Sequence, residues 1–275
     1  MRKPILFILF NAVISTLSSN AVGAETGFLD RTVKIGAENY RYQVYVPRDW
    51  SKKQKWPVIL FLHGAGERGD DGIIQTEVGV GRAIRRFVDR FPAIIVMPQC
   101  RKEQWWTQDA MQEQALEAFE QSVKEFNGDP ERFYLTGISM GGYGTWSIAS
   151  KHPGKFAALA PICGGVRPPA IINVPGASNT SDPNIDPYAE TARRIGKTPV
   201  WIFHGGADPV VPPDESRKMN EALKAAGGDV KYTEYENVGH NSWDKAYAEA
   251  ELMKWMLGQS SKPATPEKAR AKKTE

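Results

Sequence analysis

Apolar residues along this chain fall into short runs separated by longer stretches with helical spacing. Residues 41–46 alternate apolar and polar side chains, the period of a half-buried strand. Residues 57–62, 93–97, 132–135, 156–162, 199–203 and 230–235 are further strand-like runs. Between them, residues 80–90, 111–126, 143–151, 188–195, 214–226 and 242–257 read as helices. Strand and helix in alternation predict a mainly parallel sheet with helices on both faces, an α/β architecture. No repeat of fixed period interrupts it. Segment 164–187, rich in Pro, Asn, Ser and Gly, is too long for an ordinary connection. It lies between two strands of one sheet, so it is expected to be a pocket loop or lid and not a domain linker.

The two ends stand apart from this pattern. Arg2 and Lys3 precede a mostly apolar stretch, 5–17, and the small residues Val22-Gly23-Ala24 follow. That is the layout of a secretory signal over residues 1–24, with cleavage and export to the periplasm or medium expected. A membrane anchor needs about 20 apolar residues, and Asn11, Ser15, Thr16, Ser18 and Ser19 break this stretch. No cysteine sits near the cleavage point to carry a lipid. Residues 258–275 have no apolar period and hold five basic against two acidic residues, so a disordered, solvated tail is expected. The chain of 275 residues has a net charge of +3, and both ends are basic. Removing the +2 of Arg2 and Lys3 and the +3 of the tail leaves residues 25–257 at −2. A nucleic-acid surface is therefore not implied, nor is stable membrane insertion. The hydrophobic content of 41% is enough for one sizeable core in 25–257.

In parallel sheets, ligands bind beyond the carboxyl ends of the strands. The informative residues of this chain sit there. A serine, Ser139, lies in Gly137-Ile138-Ser139-Met140-Gly141, where a strand-like run ends and a helix-like run begins. A serine hydroxyl needs a base, and the base needs an orienting group. The chain has four histidines. His63 opens a glycine-rich turn after a strand. His152 precedes Pro153 at a helix end, where a surface or capping role is expected. His204 ends a strand four residues before Asp208. His240 lies in a loop between the last strand and the last helix, where a base for the sheet edge should be. Asp208, which alone could be a turn cap, follows a strand. The order Ser139, Asp208, His240 and the G-x-S-x-G elbow are those of α/β-hydrolases. Gly137 and Gly141 would remove side chains that clash in so sharp a turn, and Gly142 and Gly144 would allow close helix packing. The N–H of Met140, with that of Ala65 in His63-Gly64-Ala65-Gly66, would stabilise an oxyanion. The histidines are too dispersed for a zinc site, so no metal and no other cofactor is expected.

Taken together, Leu62-His63-Gly64-Ala65-Gly66-Glu67-Arg68-Gly69, Gly137-Ile138-Ser139-Met140-Gly141-Gly142, His204-Gly205-Gly206-Ala207-Asp208 and Gly239-His240-Asn241-Ser242-Trp243 form a specific set. Over about residues 40–257 the chain resembles the secreted serine esterases of the α/β-hydrolase superfamily. It is similar to feruloyl and acetyl-xylan esterases, polyhydroxyalkanoate-depolymerase-like proteins, and predicted peptidases or phospholipase/carboxylesterases. The resemblance implies Ser139 as nucleophile, His240 as base, Asp208 as its partner, and Ala65 and Met140 as oxyanion donors. The expected substrate is a small-molecule or polysaccharide-linked ester. The alternatives are a peptidase on the same triad, or a non-catalytic binding member of the fold. Trp105 and Trp106 follow a strand near this edge. One is expected to form an aromatic shelf in the pocket and the other to anchor its loop in the core. The strand order of the fold so resembled would separate Cys100 and Cys163 by three strand spacings, so the two are expected to stay unpaired despite export.

Overall fold

The computed structural model describes residues 25–167 and 185–261. The expected signal segment, most of 164–187 and most of the tail lie outside the described residues. Among the described residues, eight strands form one sheet: β1 (Gly27–Ile35), β2 (Glu38–Val46), β3 (Trp56–Leu62), β4 (Ile94–Pro98), β5 (Gly128–Ile138), β6 (Ala158–Ile162), β7 (Val200–Gly205) and β8 (Val230–Tyr235). Their spatial order is β1-β2-β4-β3-β5-β6-β7-β8. β3 through β8 pair in parallel, and β1 and β2 close one edge antiparallel. Among the described residues, seven α-helices accompany them: α1 (Gly79–Arg86), α2 (Asp109–Glu125), α3 (Met140–Lys151), α4 (Pro187–Ile195), α5 (Asp214–Ala225), α6 (Trp243–Ala248) and α7 (Ala250–Leu257).

The period of two within the central strands builds the layers. In β3, Val58, Leu60 and Leu62 face one core, while Ile59 and Phe61 face the other. In β4, Ile94 and Val96 face the first and Ile95 and Met97 the second. Both faces of these strands are buried, which is why they read as continuous apolar runs instead of alternating ones. The first core is closed by α2, α3, α4 and α5 through Met111, Phe119, Trp146, Ile195, Met219 and Leu223. The second is closed by α1, α6 and α7 through Val80, Ile84, Tyr247, Leu252 and Met256. Each such side chain removed from water stabilises the fold by about 1.5–3 kcal/mol.

Three features differ from the sequence pattern. β1 carries Phe28, Leu29 and Val33 but is largely half-exposed at the sheet edge, so its apolar signal is weak; its pairing with β2 defines it. The helix expected over 80–90 stops at Phe87 (φ −140°, ψ 47°), followed by a 3₁₀ turn, Val88–Arg90. The helix expected over 242–257 is two helices, broken at Glu249 (φ −63°, ψ 118°). The second break lets α7 turn so that Leu252, Met253 and Met256 stay on the core.

Cys100 follows β4 and Cys163 follows β6, with β3 and β5 between those strands. Three strand spacings amount to about 14 Å, and a disulfide needs Cα atoms within about 7 Å. Both cysteines are free and buried. Thiol titration should therefore find little reaction with the folded protein and two thiols after denaturation without reductant. Finding none in a monomer would contradict this strand order.

Candidate active site

β5 ends at Ile138 and α3 begins at Met140, so Ser139 alone makes the turn between them. It does so at φ 51° and ψ −115°. For a residue with a side chain, such a conformation costs about 1–3 kcal/mol and persists only where its surroundings hold it. Here the Ser139 N–H donates to Ile162 O across to β6 at 2.9 Å, and its carbonyl accepts the Tyr143 N–H at 3.1 Å. The flanking glycines are required by contact. A β-carbon on Gly141 would lie 1.9 Å from Leu62 O, and one on Gly137 would lie 2.3 Å from Gly141 O. The elbow is thus pressed against the end of β3 with no space between them.

Two loops from distant parts of the chain meet Ser139. His240, after β8, has Nε2 2.8 Å from Ser139 Oγ and Nδ1 2.7 Å from Asp208 Oδ2. Asp208, after β7, accepts the N–H groups of Val210 at 2.8 Å and Val211 at 3.0 Å on Oδ1. Burial opposes ionisation of this carboxyl, but hydrogen bonds from His204, His240 and those two amides outweigh it and hold it far below the usual carboxylate range. His240 is only partly exposed, edge-on to Trp243 with ring centroids 5.4 Å apart. Such a chain can pass the serine proton to an imidazole whose cation is balanced by a fixed carboxylate.

The cleft in front of Ser139 has a volume of about 430 Å³ and is lined in part by Ala65, Met140, Trp105, Tyr143, Val210 and Trp243. Met140 opens α3, so its N–H has no partner within the helix. Ala65 follows His63-Gly64 at the end of β3. Ala65 lines the cleft beside Gly64 and Glu67, and burial raises the Glu67 carboxyl. Of the two tryptophans offered as pocket candidates, Trp105 lines the cleft and Trp106 does not; Trp106 is the one that anchors its loop in the core. Trp106 is fully buried, donates Nε1–H to His63 O at 3.0 Å, and packs on Gly144, where a β-carbon would lie 2.5 Å from Trp106 Cβ. Its indole N–H finds a backbone acceptor only in that buried position.

The supports of the Ala65 loop were not legible in the sequence. His63 is fully buried, and Cys100 N–H donates to its Nε2 at 2.9 Å. Nδ1 therefore carries the proton and donates to Gly64 O at 2.6 Å. Gln99 holds the next stretch, accepting Gly72 N–H at 2.6 Å and donating to Glu67 O at 3.1 Å and Asp71 Oδ2 at 2.9 Å. An amide side chain and a histidine after a strand carry no pattern that would have marked them as loop anchors. His152 caps α3 and is not among the cleft residues. The fold also gathers ligand-capable atoms of Cys163, Asp208 and His240 within 4.8 Å of one another, a grouping absent from sequence spacing. Burial pushes the Cys163 thiol up to about 12, so it is a thiol and not a ready ligand.

Residues 95–268 match the model of the Dienelactone hydrolase family, a span that contains Ser139, Asp208 and His240. The chain belongs to this family. A solved structure of a thermostable esterase is 33% identical with a TM-score of 0.71, over 85% of this chain and 63% of that one. An uncharacterized secreted protein of Arthroderma benhamiae is 26% identical over 227 residues, 74% of this chain and 23% of its own. A bifunctional acetylxylan esterase/xylanase of Neocallimastix patriciarum is 29% identical over 171 residues, 61% of this chain and 21% of its own. The chain thus spans about a quarter of the length of these two curated relatives. The eight-stranded sheet and these similarities make the fold that of an α/β-hydrolase.

His63 also sets an acid limit on the fold. Burial lowers it to about 4, against the hydrogen bond to Gly64. Its pKa lies below the unfolded value of about 6.5, so the unfolded chain binds the extra proton first. The stabilisation is present above pH ~6.5 and is lost as pH falls toward 4. Thermal melts should show stability dropping by up to about 3 kcal/mol over that window. His63→Gln should be less stable at neutral pH and should flatten that dependence. An unchanged pH slope in the variant would refute the assignment.

Proposed function

We propose that this chain is a serine hydrolase that cleaves carboxylic esters through an acyl-enzyme. The observation that carries the reading is the unbroken chain Asp208–His240–Ser139, with contacts of 2.7 and 2.8 Å, at a strained elbow facing a cleft. Ser139 Oγ attacks the ester carbonyl carbon as His240 Nε2 takes its proton. The carbonyl oxygen becomes an oxyanion and accepts the N–H groups of Ala65 and Met140. Collapse expels the alcohol oxygen, which takes the proton back from His240. Water then attacks the acyl-serine by the same route, and the carboxylic acid leaves. Asp208 stays ionised throughout and orients His240.

The ester reading is favoured by the esterases among the similar proteins, one of them 33% identical. The cleft lining, with Trp105 as its aromatic shelf, suits an acyl or sugar ring on a small-molecule or polysaccharide-linked ester. Export is supported by the leader pattern and by similarity to a secreted protein. Among the described residues no helix is long and apolar enough to cross a membrane.

A panel of short-chain, feruloyl, acetyl-sugar and peptide substrates tests the class. kcat/KM should be higher on esters than on amides with the same acyl group; the reverse order would favour a peptidase. Ser139→Ala should lower kcat by at least ~10⁴-fold while the melting curve stays cooperative. A fluorophosphonate should label Ser139 in the wild type, and labelling of Ser242 instead would refute its role.

The pH profile follows from Asp208. Its carboxyl is held so low that it does not titrate in the working range. Acidification should therefore switch the enzyme off through one group, His240, with kcat/KM falling about tenfold per pH unit below the midpoint. A slope approaching two would mean that a second essential group protonates with it.

A further inference from the structure

A second histidine reaches the carboxylate that orients His240. His204 closes β7 and is fully buried, with side-chain exposure of 0% for both His204 and Asp208. Its Nε2 lies 3.0 Å from Val211 O and 3.3 Å from Asp208 Oδ2. Both of those atoms are acceptors, so Nε2 must carry a hydrogen. Nδ1 lies 2.6 Å from Ser216 Oγ on α5, which can donate to it and fix that arrangement.

We propose that His204 is a positioning residue for the triad: its Nε2–H, shared between Asp208 Oδ2 and Val211 O and aligned by Ser216, holds the Asp208 carboxylate in place for His240. The proposal deepens the hydrolase reading and rests on it only for the kinetic consequence. Every side of the carboxylate is then accounted for. Oδ1 takes the Val210 and Val211 amides, and Oδ2 takes His240 and His204. The same donor ties Val211 O to the loop, so the cleft wall at Val210 and Val211 and the orienting acid move as one piece. A carboxylate with one free lone pair could swing about its last bond, and the imidazole would follow.

Charged and titratable groups surround this pair on several elements. Glu234 sits opposite His204 on β8 and is bound by Arg217 and Tyr232. Cys163 after β6 and Tyr143 on α3 border Asp208, and burial raises both. His240 completes the set. Cys163 and Tyr143 therefore stay protonated and uncharged at neutral pH.

The test uses two amides of different length. Gln at 204 places its amide nitrogen near the Nε2 position and keeps the donor to Asp208. Asn at 204 reaches only the Nδ1 position and keeps the Ser216 contact alone. His204→Asn should lower kcat about 10- to 100-fold with KM within about threefold. His204→Gln should stay within about fivefold of wild type. Independently of turnover, NMR titration of the ¹⁵N-labelled histidines reads His240 directly. Loss of the donor concentrates charge on Asp208, so the His240 midpoint should rise by about half a pH unit or more in His204→Asn. It should stay near the wild-type value in His204→Gln.

Equal effects of Asn and Gln on that midpoint would make the role electrostatic or purely structural and overturn the proposal. So would an Asn midpoint that is unchanged or lower, or an unchanged kcat. If His204→Asn does not fold, Ser216→Ala provides the second reading. Freed from its alignment, His204 should give a His240 shift of the same sign, and no shift would overturn the proposal. A wild type that cleaves no ester, but in which His204→Asn moves the His240 midpoint as expected, would refute the hydrolase reading and leave the coupling standing.

Discussion

The contact between the end of β3 and the start of α3 governs this molecule. Leu62 O occupies the position that a β-carbon at 141 would crowd to 1.9 Å. That approach forces a glycine at 141, and the turn it closes holds Ser139 at φ 51°. The same β3 end continues directly into His63-Gly64-Ala65. The serine and the Ala65 loop, for which an oxyanion-donor role is proposed, are therefore built on one junction. Moving either would open the β3–β5 seam, where Leu60 pairs with Leu135 and Leu62 with Gly137. Rigidity of this kind is what electrostatic stabilisation requires, because donors that must reorganise lose most of their advantage over water.

Strands and histidines differ in how far they could be read from residues alone. β3, β4, β6 and β7 are buried on both faces, so their apolar runs are unbroken and bounded by turn residues. The G-x-S-x-G turn was legible because steric exclusion leaves glycine as the residue that fits at 137 and 141. β1 was not legible, since an edge strand with one half-wet face carries little more apolar signal than a loop. The break at Glu249 was also hidden. Residues 242–257 have adequate helical spacing throughout, and only packing of α7 against the second core selects the kink. Of the two adjacent tryptophans, position in the chain could not say which enters the cleft. Trp106 is drawn inward by an acceptor, His63 O, that belongs to another strand end.

The site shows the same division. Serine, aspartate and histidine after β5, β7 and β8 were visible as a set because their order and their place at strand ends are both constrained. What holds them was not visible. Gln99, His63 and Ser216 act through hydrogen bonds to backbone or to other side chains that are 27 or more residues away for Gln99 and 37 for the His63–Cys100 contact. Polar residues in such roles have no periodicity and no fixed spacing to the groups that they serve.

Three of the four histidines stand at the carboxyl edge of the sheet, and their chemistry diverges through their partners. At His63 a backbone N–H points at Nε2, which fixes the proton on Nδ1, and burial keeps the ring neutral down to about pH 4. At His204 the pattern is reversed: two acceptors face Nε2 and a hydroxyl faces Nδ1. At His240 a carboxylate faces Nδ1 and a serine hydroxyl faces Nε2, and the ring is partly open to the cleft. Only this third setting combines an acceptor nitrogen toward a hydroxyl, a fixed anion behind it and access for a substrate. A buried imidazole clamped by backbone amides cannot take up a proton without breaking its own contacts, whereas one balanced by Asp208 can. The division of labour among identical side chains is thus set by which donors and acceptors the strand order delivers to each nitrogen.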